Sequence, residues 1–381
     1  MQTRIKIMIS AAVFLAIGTL GAMAAEPGTR DEGPLAISKE GFFYAGGERK
    51  TGPNGSGMFD QMFVEYQIPA KQTAPYPIVM IHGNWQNGSN FLGTPDDREG
   101  WAEYFLRRGY AVYVVDQPAR GRSNYNATVD GAASVPVTST IERVFTAMQN
   151  FNAWPQAKLH TQWPGTGLAG DPAFDQFEAS QQVAMQDDVH MDVLNRAAGA
   201  ALLKRIGPAI LLTHSRSGAI GWVIADDVPN LVKGIVAVEP SGPPFDDVPP
   251  LSGTAPKPSR GWGIAFDHLT YDPPVASPSE FDVEQEAEAE GPGLARCFFP
   301  KTPHKLVHLA GIPIMILSSE ASYHAQYDHC TSEYLTQSGV QNSFIRLADK
   351  GIHGNGHMMM LEKNNLEIAG VIADWISGNV K

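Results

Sequence analysis

Short apolar runs closed by turn residues recur along most of the chain, and their spacing sets the first expectation. Phe63 to Ile68 (FVEYQI) alternates apolar and polar positions after GFFYAGG, which predicts an antiparallel hairpin at a sheet edge. PIVMIHG (77–83), YAVYVVD (110–116), AILLTHS (209–215), GIVAVEP (234–240), IPIMILSS (312–319) and SFIRLAD (343–349) follow. Most of these are rich in β-formers and apolar on both faces, the pattern of parallel strands covered by helices. Helical patterns separate several of them. Residues 97–108 (DREGWAEYFLRR) carry Trp101, Tyr104 and Phe105 at helical spacing behind an acidic first turn. Residues 187–206 form a second amphipathic stretch running straight into AILLTHS, and 366–376 (LEIAGVIADWI) close the chain. This alternation predicts an α/β fold with a doubly wound, mostly parallel sheet. No internal repeat is present.

Two connections are too long for simple crossovers: residues 124–186 and 243–311. Both are rich in Pro, Gly and aromatics, among them Trp154, Trp163, Phe174, Phe177, Trp262 and Phe266. Both leave from the carboxyl end of the sheet, where such folds bind ligands, so they are expected to form a cap over a pocket rather than mere surface elaboration.

Composition narrows the function classes. The 381 residues are 43% hydrophobic and 18% charged, which suits one large globular domain with insertions. Residues 1–24 read as a secretory signal peptide: Arg4 and Lys6 give a basic start, Ile7 to Leu20 an apolar stretch, and Ala22-Met23-Ala24 a cleavage site. A periplasmic or secreted protein with no stable membrane anchor is therefore expected. The net charge is −12; losing Arg4 and Lys6 leaves 26 basic against 40 acidic residues, or −14. With no basic stripe, such a chain repels phosphate backbones, and nucleic-acid binding is not expected. Export also makes Cys297 and Cys330, the two cysteines, candidates for a disulfide. The sequence leaves a homodimer open.

The candidate chemistry centres on LLTHSRSGAIGW (211–222). Ser215 follows a strand end and precedes a helix start, with the small Thr213 and Ser217 at minus two and plus two. A sharp strand–turn–helix elbow of this kind lifts a hydroxyl above the sheet as a nucleophile; the alternative is a helix cap. IHGNWQNGSNF (81–91) also follows a strand, and its His82-Gly83 allows tight turning. The N–H groups of Asn84 and of Arg216, the residue after the serine, are then placed to form an oxyanion hole. DQPARGRS (116–123) reads as a structural loop. The general base must follow the serine in chain order, and the candidates run through His268, His304, His308, His324 and His329 to His353 and His357. KGIHGNGHMMM follows the last strand, and His357, directly before an apolar run that can seat a helix, is the better base. His353 is expected to line the approach or bond backbone. Their H-x₃-H spacing carries two glycines and has no third ligand, so no metal is expected, nor any cofactor. Two acids compete: Glu239 at the end of GIVAVE, which Pro240 should keep extended, and Glu320 after IPIMILSS. Beside Ser215, Arg216 stands at a helix N-terminus, where a cation is disfavoured. It should bind a substrate carboxylate, pair with an acid such as Glu239, or lie solvated at the rim.

IHGNWQNG, DQPARGRS, THSRSG, VEPSG and GNGHMMMLEKNN together resemble the α/β-hydrolases, over residues 35 to 379. In particular they resemble the secreted bacterial esterases whose acid is a Glu after the sixth strand. THSRSG departs from the usual G-x-S-x-G by replacing both glycines. The resemblance implies an α/β-hydrolase domain over 25–381 with cap insertions, Glu239 as the acid, and a disulfide between Cys297 and Cys330. It implies a Ser215–His357–Glu239 triad cleaving a small-molecule carboxylic ester through an acyl-enzyme. Lactone or amide hydrolysis on the same site is the alternative, and a non-catalytic binder a remote one. Dehalogenase and epoxide-hydrolase chemistry, which uses Asp at the nucleophile position of this fold, is not expected.

Overall fold

Strands apolar on both faces can be stable only with a layer of helices on each side. The computed structural model describes residues 33–52, 55–249 and 255–381, so the leader expected over 1–24 lies outside the described residues. Leu35–Lys381 form one compact unit. Its main sheet holds β1 (Ile37–Gly52), β2 (Gly55–Pro69), β3 (Ile78–Ile81), β4 (Val112–Asp116), β5 (Ala209–His214), β6 (Val232–Val238), β7 (Ile314–Ser318) and β8 (Asn342–Arg346). The eight strands run β1-β2-β4-β3-β5-β6-β7-β8 across the sheet. β1 pairs antiparallel with β2 and β2 with β4, and every other ladder is parallel. The edge hairpin and the parallel body thus agree with the periodicity.

Alternate residues of one strand enter opposite cores. Val79, Ile81, Leu211, Ile235, Ala237, Ile314 and Ile316 pack on one face with Leu202, Ile220 and Trp222. Ile78, Met80, Ile210, Leu212, Val236, Met315 and Leu317 pack on the other with Trp101, Phe105, Ile368 and Ile372. Helices α2 (Asp188–Ile206) and α3 (Ser217–Asp227) cover the first face. Helices α1 (Trp101–Arg107) and α5 (Asn365–Asn379) cover the second. Each fully buried Leu, Ile or Phe contributes about 1.5–3 kcal/mol of transfer free energy, so both layers hold the sheet firmly. α2 starts where its pattern predicts: the Asp187 carboxylate accepts from the His190 N–H at 2.9 Å, and Gly207 ends the helix at φ +89°.

The long connections extend both cores, apart from a small separate cluster of Met185 and Tyr125 with Ala119, Met191 and Leu194. Phe145, Trp163, Phe174 and Phe177 from the first join the second face, while Trp154, Tyr271, Phe281 and Phe298 extend the first. Among the described residues, four two-stranded ladders lie outside the main sheet, one within the first connection and three within the second. Cys297 and Cys330 form a disulfide with Cα atoms 5.3 Å apart, joining the second connection to α4 (Asp328–Gln337). Among the described residues no helix is long and apolar enough to cross a membrane.

Candidate active site

Ser215 sits at the tip between β5 and α3 with φ +58°. A non-glycine residue in this left-handed region is strained by about 1 kcal/mol or more, so the surroundings must hold it. Its N–H donates to the Val238 carbonyl at 3.0 Å, and its own carbonyl accepts from Gly218 and Ser241 at 2.8 Å each. Ser217, at plus two, stitches the elbow: its hydroxyl accepts from the His214 N–H at 2.8 Å and donates to the Ile81 carbonyl at 2.7 Å. The chain packs so closely there that a Cβ on Gly218 would lie 2.4 Å from the Pro240 Cβ, and one on Gly83 would lie 2.9 Å from the Ser215 Cβ. Gly83 is therefore required by contact with the serine itself. Asn84 and Arg216, whose N–H groups are the expected oxyanion donors, directly follow Gly83 and Ser215.

His357 is buried in the loop between β8 and α5. Its Nδ1 lies 2.6 Å from Glu239 Oε2, and its Nε2 lies 3.2 Å from the Tyr323 hydroxyl. The Ser215 side chain is near enough to that hydroxyl to oppose its upward shift. The imidazole is packed between Phe145, at 5.7 Å and 18°, and His324, at 4.8 Å and 7°. Burial, together with His324, holds His357 well below the ordinary histidine value, which keeps it neutral and able to accept a proton. Burial pushes the Tyr323 phenol up, so it stays a hydroxyl.

Glu239 follows β6 and is wholly buried. The expectation that Pro240 keeps it extended is wrong: Glu239 turns left-handed, with φ +43°. Its carboxylate is instead captured by the loop after β7. Oε1 accepts from the Ser319 N–H at 2.8 Å and the Ser319 hydroxyl at 2.5 Å. Oε2 accepts from the Ser322 hydroxyl at 2.7 Å as well as facing His357. Burial pushes the Glu239 carboxyl up, and His324 and these serine donors act against that shift. Glu320, the competing acid, faces elsewhere: it holds His353 Nδ1 at 3.1 Å and the Gly354 N–H at 2.9 Å. His353 thus bonds a carboxylate, not backbone as expected, and the two histidines of H-x₃-H serve different acids.

The Arg216 side chain pairs with acids, one of the alternatives expected of it, but Glu239 is not among them, and it is not solvated. Its Nε lies 2.7 Å from Asp188 and its Nη1 2.8 Å from Asp192, both on α2, and the guanidinium stacks 4.2 Å over Phe266. Those two acids offset the unfavourable macrodipole.

Sequence reasoning missed Tyr323 and Glu362, and had His324 only as one of several candidate bases. Tyr323 and His324 lie in no recognisable motif. Glu362, five residues after His357, is buried and accepts from His160 Nε2 at 2.7 Å, the Gly356 N–H at 2.9 Å and Asn355 Nδ2 at 2.7 Å. It fixes the base loop to the first long connection, and its place in GNGHMMMLEKNN was the signal available. That connection also covers the site. Trp85 donates from Nε1 to the Ser134 hydroxyl at 3.0 Å, and Trp154 donates to the Ala321 carbonyl at 2.8 Å beside Tyr323.

Among the described residues three side-chain clusters have the donor types of a metal site, and one of them, Glu286–Cys297–Glu333, shares the Cys297 sulfur that is bonded to Cys330. In Cys297–His329–Cys330 both sulfurs are spent in the disulfide. In Glu239–His324–His357 the carboxylate is saturated by hydrogen bonds, and His324 Nδ1 is held 2.8 Å from Asp328. Two surface clefts, one beside Tyr76 and Tyr110 and one beside Pro155 and Leu294, share no residue with the Ser215 cluster.

Known proteins place the chain in context. Residues 78–371 match a family model described as "Alpha/beta hydrolase family". A probable secreted lipase, phiG, of a fungal species (strain ATCC 74256) is 46% identical over 349 residues, 91% of each chain. The atomic-resolution structure of a novel bacterial esterase superposes with a TM-score of 0.60 at 25% identity, covering 92% of this chain and 98% of that one.

Proposed function

The chain belongs to the α/β-hydrolase family, and we propose that it cleaves its ester through a Ser215–His357–Glu239 triad and an acyl-enzyme. That it is a carboxylic-ester hydrolase follows from its kinship with the lipase and the esterase. The single observation carrying the finer reading is the 2.6 Å contact between His357 Nδ1 and a Glu239 carboxylate that is otherwise saturated by serine donors. With Nδ1–H donating to Glu239, Nε2 is left as the acceptor. Ser215 Oγ attacks the ester carbonyl while His357 Nε2 takes its proton. Glu239 holds the tautomer and stabilises the imidazolium that forms. The N–H groups of Asn84 and Arg216 donate to the oxyanion, and protonation by His357 releases the alcohol. Water, activated by the same imidazole, then frees the acid and restores Ser215.

We assign the enzyme to the outside of the cell membrane, periplasmic or secreted. The leader pattern over 1–24, the disulfide and the name of the secreted relative support this.

A fluorophosphonate probe tests the nucleophile. Stoichiometric labelling at Ser215, with Ser215→Ala losing about 10⁴-fold or more in kcat, is expected. Folded protein that takes no label, or an active Ser215→Ala, would refute the triad.

A further inference from the structure

Arg120 belongs to DQPARGRS, the loop after β4 that reads as structural. For its neighbours that reading fits: Arg122 Nε lies 2.7 Å from Asp116 Oδ2, and the Ser123 hydroxyl donates to the Asp116 carbonyl at 2.6 Å. Arg120 does not fit it. Only 2% of the residue is exposed, yet it makes no ion pair among the described residues. Its Nη1 reaches only the Gln86 carbonyl, at 3.5 Å, and its Nε meets no acceptor. Asp116 is already consumed by Arg122 and by the Gly88 N–H at 2.8 Å. The neighbouring guanidinium, Arg216, has its own two acids. Burial and the Arg216 charge hold Arg120 down to about 10, against the pull of the Asp116 charge, so it remains a cation at neutral pH with no ion pair of its own. A buried cation without an ion pair is strongly destabilising, and a fold retains one where something else supplies the partner.

The surroundings of Arg120 adjoin the loop that packs on Ser215. Gln86 belongs to the HGNWQ loop, and its amide oxygen, itself without a partner, lies 3.1 Å from the point where a Gly83 Cβ would stand. The Ser215 Cβ lies 2.9 Å from that same point. Arg120 therefore flanks the turn that carries the oxyanion donors, on the side where Arg216 follows Ser215. In a chain of net charge −12, an anionic substrate needs a local cation of this kind.

We propose that Arg120 is an anion subsite, and that the preferred substrates are esters carrying a carboxylate in addition to the ester group. The planar guanidinium matches a carboxylate, and with water excluded the pair is strong. The proposal rests on Ser215 as the nucleophile and adds the class of substrate.

The test compares kcat/KM on mono-4-nitrophenyl glutarate and 4-nitrophenyl butyrate in the wild type, Arg120→Gln and Arg120→Lys. The wild type should favour the anionic ester. The anionic-to-neutral ratio should fall at least about tenfold in Arg120→Gln and less in Arg120→Lys. A ratio that Arg120→Gln leaves within twofold, or a wild type with no preference, overturns the proposal. Should Arg120→Gln fail to fold, the wild type decides: glutarate must inhibit butyrate-ester hydrolysis at least tenfold more tightly than glutaramide, and equal inhibition overturns it. The two readings fail separately. An active Ser215→Ala removes the nucleophile. Stabilisation of Ser215→Ala by glutarate, present with Arg120 and lost on adding Arg120→Gln, reads the subsite without catalysis.

Discussion

At the scale of single residues, Tyr323 carries a consequence for the pH profile. Because Nδ1–H of His357 faces Glu239, the Tyr323 O–H is the donor to Nε2, and a donor to the neutral ring favours the neutral form. The base is competent only when neutral, so activity should be kept as pH falls through the ordinary histidine value of about 6.5 and be lost below it. Tyr323→Phe removes the donor. Its acid limb in kcat/KM should move to higher pH, and kcat should drop about fivefold to tenfold, the value of one hydrogen bond. A rise in kcat would mean that the hydroxyl only obstructs Nε2. Ser215 and the choice between Glu239 and Glu320 were legible because these residues stand at the ends of apolar strand runs, and His357 because its loop follows the last such run; only the resemblance favoured Glu239. Tyr323 was not legible: it reaches the site through the packing of a loop against His324 and Trp154, and no local pattern encodes that. The acids that compensate Arg216 were hidden for the same reason, being supplied by α2 from a distant part of the chain.

Elements were legible where periodicity governs them and illegible where tertiary hydrogen bonds overrule it. The core strands and α2 fall where their patterns put them. The helix expected over 97–108 begins only at Trp101. Asp97 stands at φ +63° and Gly100 is extended, while the Arg98 guanidinium bonds the carbonyls of Leu361 and Glu362 and the Asn365 side chain. Those bonds, which no window of sequence reveals, anchor the segment just before α5. The short elements of the two long connections were equally invisible, since they are made by contact with the sheet rather than by their own pattern. Glu362 shows what that contact does, because its partner His160 ties the first connection to the loop bearing the base. Glu362→Gln should therefore misplace His357: kcat should fall about tenfold with KM little changed, alongside a lower Tm. A lower Tm with kcat intact would assign Glu362 to stability alone.

At the scale of the whole molecule, the site exists only because four parallel strands end side by side. Ser215 follows β5, Glu239 follows β6, the serines that hold Glu239 follow β7, and His357 follows β8. The strand order of the sheet thus brings together residues separated by up to 142 positions in sequence (Ser215 to His357). What the sequence alone left unresolved was which acid faces the base, because Glu239 and Glu320 both stand at strand tips. The left-handed turn at Glu239 and the pairing of Glu320 with His353 separate their roles. The most direct measurement is kcat/KM on a 4-nitrophenyl ester for Glu239→Gln and Glu320→Gln, with melting curves as control. A loss of about 10³-fold or more in Glu239→Gln, against less than tenfold in Glu320→Gln, is predicted. A severe loss in Glu320→Gln with Glu239→Gln nearly intact would contradict the assignment.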